Sequence, residues 1–117
     1  MPHIILDGTV DIACFYASFQ PTQERSAGEI LKTQDIYISQ DQKVLLVEAI
    51  AVEEGPPQRF FIQVSVKDMR TTIRIYQGTD PIKTAGVKKL LAMVAKQMRD
   101  QHPDIAYGAT NLKEFLR

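Results

Sequence analysis

The chain has 117 residues, the length of a single domain (1–117), and can bury a modest core without disulfides or metals. Its 14 Lys and Arg balance 14 Asp and Glu, which argues against a nucleic-acid surface, where a basic excess is usual, and against a polybasic membrane patch. One cysteine, Cys14, permits no intrachain disulfide. No apolar run approaches the ~18 residues of a membrane span and no signal peptide opens the chain, so a cytoplasmic protein is expected.

The chain opens Met1-Pro2-His3-Ile4-Ile5-Leu6, a proline followed at once by an apolar strand-like run that Asp7-Gly8-Thr9 ends. Methionine is commonly trimmed in front of so small a residue. The new terminus would be a secondary amine beside a buried strand. A terminal amine ordinarily titrates at about 7.7–8.0. Apolar surroundings push it down by disfavouring the charged form, which suits a general base near neutral pH. While Met1 is retained, the Pro2 nitrogen is an amide without basicity.

Ile12, Phe15, Tyr16 and Phe19 form the i, i+3, i+4, i+7 stripe of an amphipathic helix. Pro21 interrupts it, and Ala27, Ile30 and Leu31 resume helical spacing, so the pattern predicts a kinked helix or two helical pieces over 11–33. Cys14 lies within the stripe and reads as a packing residue. Thr33 to Asp41 reads as a polar connection with a brief extended piece at Ile36 and Ile38.

Val44 to Val52 is apolar on both faces except for Glu48, which predicts a strand covered on both sides, by its own helices or by another subunit. A turn at Glu54-Gly55-Pro56-Pro57-Gln58 joins it to an alternating strand, Phe60 to Val66, giving an antiparallel hairpin. Thr71 to Tyr76 is β-rich, with Ile73 and Ile75 on one face and Arg74 opposite. Asp80 and Pro81 predict the start of a second helix, lined by Val87, Leu90, Leu91, Val94 and Met98 and stopped by Pro103. Lys88-Lys89 and Lys96/Arg99 read as its wet face. Ile105-Ala106-Tyr107 supplies a last strand.

Most catalytic signatures are missing. The glycines are isolated, so no phosphate-cradling loop exists. Two histidines and one cysteine without ligand spacing support no metal or other cofactor. No Gly-x-Ser-x-Gly elbow occurs, and Glu53-Glu54 reads as a solvated pair beside a turn. The amino terminus and some basic residues remain as candidates.

The opening Met1-Pro2-His3-Ile4-Ile5, the hairpin from Lys43 to Val64, the Gly78-led second helix and the β-α-β-β-(β)-α-β order together resemble the tautomerase superfamily. Within it the chain is most similar to 5-carboxymethyl-2-hydroxymuconate isomerase and related small proteins. The resemblance implies an α+β fold, a β-α-β-β-α-β sandwich with two helices packed on one face of a mixed four-stranded sheet. A ferredoxin-like arrangement fits the same order. The resemblance also implies a homotrimer and a small-molecule substrate, an unsaturated keto or hydroxy acid, on which Pro2 moves a proton as general base. The family grips the substrate carboxylate with arginines, because a planar guanidinium makes two parallel hydrogen bonds. Here those arginines fall near Asp41 and Lys43, and only Lys43 keeps the charge. Arg70 and Arg74, in a short insertion, are the other candidates for substrate binding. The expectation from a different class is a non-catalytic oligomeric binding module of tautomerase-like or ferredoxin-like fold.

Overall fold

Alternation of apolar and polar residues builds most of this molecule, whose computed structural model describes residues 2–116. Strand β1 (His3–Asp7) turns Ile4 and Leu6 into the core and His3 and Ile5 outward. Helix α1 (Ile12–Ser18) begins at Asp11, whose side chain accepts from Cys14 N, and buries Ile12 and Phe15. It lasts seven residues because Pro21 cannot continue it.

The chain then runs through an antiparallel hairpin, β2 (Gln23–Ser26) and β3 (Glu29–Ile38). Gly28, at φ +74°, makes the turn. The helical pieces expected over 11–33 are thus one short helix and the start of a sheet. Ala27, Ile30 and Leu31 satisfy a helical spacing, but the stretch alternates: Leu31 and Thr33 are buried, and Ile30 before them and Lys32 between them are not. A register shift between Thr33 and Ile36 lets Ile36 and Ile38 pack on the core as well. The brief extended piece expected there is the end of a ten-residue strand.

Next come β4 (Val44–Val52), β5 (Gln58–Lys67) and β6 (Arg70–Ile75), each antiparallel to its predecessor. The β5–β6 turn is two residues long, Asp68 and Met69, both at positive φ, the arrangement that matches the twist of adjoining strands. Helix α2 (Ala85–Gln101) starts four residues beyond the expected Pro81, capped by Thr84, whose side chain accepts from Val87 N. Asp80 instead pairs with Lys83 at 2.7 Å. The chain closes with β7 (Ala106–Thr110) and a 3-10 turn, Lys113–Phe115.

The strands form one sheet in the order β2-β3-β4-β5-β6-β1-β7, curled into a half-barrel with two helices. Every neighbouring pair is antiparallel. This overturns the mixed four-stranded sheet of a β-α-β-β-α-β sandwich. A parallel unit needs a helical crossover to a strand beside β1. Here the chain leaves α1 into a hairpin at the far edge, and β1 is flanked by β6 and β7. Phe15 from α1 and Val87, Leu90, Leu91, Val94 and Met98 from α2 join Ile4, Leu6, Leu45, Val47, Phe60, Ile62, Val64 and Ile73 in one core cluster. Cys14, expected to pack, is exposed. No helix among the described residues is long and apolar enough to cross a membrane.

Candidate functional site

Pro2 precedes β1 with the parity of Ile4 and Leu6, so it lies on the helix side of the sheet and is buried. It lines a cavity of about 450 Å³, open to solvent, together with Lys83, Lys88, Asn111 and Leu112. Each wall has a local cause. Leu112, itself buried, follows β7, and Thr110 Oγ1 donates to His3 O at 2.7 Å while accepting from Leu112 N. Asn111 Oδ1 accepts from His3 N at 3.0 Å, tying the end of β7 to the residue after Pro2.

Lys83 and Lys88 come from the approach to α2 and its first turn, and that region is clamped. Gln58 behaves as a stretch of extra backbone: its Oε1 accepts from Ile82 N at 2.7 Å and its Nε2 donates to Ile82 O at 3.3 Å. Glu53, just past β4, accepts from Thr84 Oγ1 at 2.5 Å and from Gly86 N at 3.0 Å. A carboxylate there satisfies a helix N–H that has no intrahelical acceptor and opposes the positive end of the helix dipole. Gly86 is the residue that allows so close an approach, since a Cβ there would meet the Glu53 carboxyl carbon at 2.6 Å.

The two lysines differ electrostatically. Lys83 is committed to Asp80, and this hydrogen bond, reinforced by the ammonium charge, holds the Asp80 carboxyl below its usual range. Lys88 makes no ion pair among the described residues and is the cation available to a ligand at Pro2. An ammonium binds a carboxylate as a point charge, without the fork of a guanidinium.

The other sequence candidates lie elsewhere. Arg70 pairs across the sheet with Asp7, at the end of β1 away from Pro2, roughly 17 Å along the strand. Lys43 precedes β4 near that same end, where its carbonyl accepts from Val66 N. Arg74 pairs with His3 but points to the opposite face from Pro2. None of the three lines the Pro2 cavity. Lys83, Lys88 and Asn111 were missed because Lys88 reads as the wet face of a helix and Asn111 follows the last predicted strand. The one signal was Thr84, a good cap three residues before Val87.

His102 has structural partners: its Nδ1 lies 3.1 Å from Met98 O and its Nε2 accepts from Asp11 N at 3.3 Å, so the ring carries its proton on Nδ1. No group of three or more His, Cys, Asp or Glu among the described residues could hold a metal ion. The chain matches no protein-family model, no curated protein and no solved structure.

Proposed function

We propose that this chain is a small-molecule isomerase in which the Pro2 nitrogen, freed by removal of Met1, shuttles a proton between carbons of an unsaturated keto or hydroxy acid. The supporting observation is the burial of Pro2 at a cavity that also carries Lys88, a cation without an ion-pair partner among the described residues. The apolar flank from Leu112 and the nearby ammonium groups both favour the neutral amine, the form that accepts a proton. Lys88 binds the substrate carboxylate, and Lys83 adds positive potential at the rim. The amine takes a proton from the carbon next to the carbonyl, the charge spreads into a dienolate facing the lysines, and the proton returns to a different carbon. No cofactor enters this scheme.

Intact mass of the protein recovered from its own cells reads the requirement directly: Met1 must be absent. Processed protein should then turn over enol-pyruvate-type acids, Pro2→Ala should abolish turnover, and Lys88→Ala should raise KM more than it lowers kcat. Retention of Met1 in the cell, or full activity in Pro2→Ala, defeats the proposal. A second reading, a non-catalytic oligomeric module, is favoured by the apolar side chains on the outward face of the sheet.

A further inference from the structure

The outward face of β3 to β6 carries side chains that no helix covers. The helices join the core through the inward residues Leu45, Val47, Phe60, Ile62 and Ile73. Facing the other way are Tyr37, which is 52% exposed, Leu46 opposite it on β4, and Phe61 on β5. The Phe61 and Tyr37 rings meet edge-on at 6.0 Å, spanning β4. An exposed tyrosine packed beside a half-buried phenylalanine and leucine forms the kind of centre around which protein interfaces are built.

Two opposite charges flank this centre, and each is only weakly partnered among the described residues. The Glu48 side chain is only 13% exposed, yet it makes no hydrogen bond among the described residues, and its one ion pair is a 4.0 Å contact with Arg59. Arg74 Nε is buried with no acceptor among the described residues. A buried N–H without an acceptor is unfavourable, and a carboxylate held by a single 4.0 Å contact is open to a closer cation. They do not meet within one chain because β5 lies between their strands, a separation of roughly 10 Å.

We infer that this face is an interface between copies of this chain, the Arg74 guanidinium of one copy donating to the Glu48 carboxylate of another across a centre of Tyr37, Leu46 and Phe61. One surface that holds both signs around one apolar centre is complementary to a rotated copy of itself, as an isologous contact requires. A formal net charge of zero leaves no overall repulsion to oppose association. The contact is independent of the chemistry at Pro2, which lies on the opposite face.

Sedimentation of the full chain, from micromolar to near-millimolar concentration, tests it. Wild type should run as a multiple of the 13.2 kDa monomer. Tyr37→Glu, at a half-exposed position, should keep the wild-type circular dichroism and melting while raising the dissociation constant about 100-fold or more. Glu48→Arg and Arg74→Glu should each weaken association, and the double exchange should recover part of the loss. A wild-type mass of 13.2 kDa throughout overturns the inference. So does a folded Tyr37→Glu that associates as tightly as wild type, or a double exchange no tighter than either single one. Should Tyr37→Glu not fold, the wild-type mass still decides.

Discussion

Replacing Gly86 with alanine sets two physical effects against each other, and the structure decides the sign. Helix propensity alone makes Gly→Ala in a helix favourable by up to ~1 kcal/mol. At Gly86 the new Cβ would stand 2.6 Å from the Glu53 carboxyl carbon and 2.7 Å from Oε1. The carboxylate is the end of a flexible side chain and can swing away, so the penalty is not the collision itself. What disappears are the hydrogen bonds from Gly86 N and Thr84 Oγ1 to that carboxylate. Hydrogen bonds to charged groups contribute about 1.5–3 kcal/mol each, and for a half-buried carboxylate the lower end applies, about 3 kcal/mol for the pair. Against a gain of at most ~1 kcal/mol, the net destabilisation is about 2 kcal/mol, or a fall in Tm of about 8 °C for a domain of this size. Urea and thermal denaturation measure both. In a Glu53→Ala background the same substitution should become neutral or stabilising, because only the propensity term survives. Destabilisation by the same amount in both backgrounds would refute the reasoning.

Thr71→Val keeps the shape of a fully buried side chain but removes a hydroxyl that accepts from Val10 N at 3.2 Å and donates to Gly8 O at 3.0 Å. With a buried donor and a half-buried acceptor both orphaned, urea denaturation should show a loss of about 2–4 kcal/mol. Asp80 has its folded pKa depressed below 3.8, first by the hydrogen bond from Lys83 and then by the ammonium charge. A depressed carboxylate stabilises the fold above its unfolded pKa and loses that contribution as pH falls through the folded value. Wild type should therefore melt slightly above Asp80→Asn at neutral pH, and the gap should close in acid below 3.8, read by melting curves across that range.

Strand β1, the β4–β5 hairpin, β6 and the body of α2 are legible in the sequence because their apolar periods are unambiguous. The span from 23 to 38 is not. Ile30 and Leu31 fit a helical stripe only when joined to Ala27, and the β-bulge after Thr33 breaks the alternation that would have marked one long strand. Sheet order is a long-range property: nothing in His3–Asp7 states that its partners are 70–75 and 106–110. The candidate site was half legible. Pro2 stands out by spelling, but Lys83 and Lys88 reach it through the Gln58 and Glu53 clamps, contacts that local pattern does not encode. Arg70 and Arg74 drew attention by charge, whereas the pairing of β1 with β6 places one at the far end and the other on the opposite face.

The position of β1 has a consequence for the order of events during synthesis. It precedes the other six described strands in chain order, yet among them it pairs with β6 and β7, whose first residues are Arg70 and Ala106. At roughly 5–20 residues per second, β1 waits several seconds for its first neighbour and longer for its second. Through that interval its amino terminus is unpaired and accessible to an aminopeptidase, whereas in the finished fold Pro2 is buried. The removal of Met1 that the proposed mechanism requires would therefore have to outrun closure of the sheet. Conditions that slow elongation should favour the processed form, and rapid overproduction should favour the chain whose proline nitrogen is still an amide.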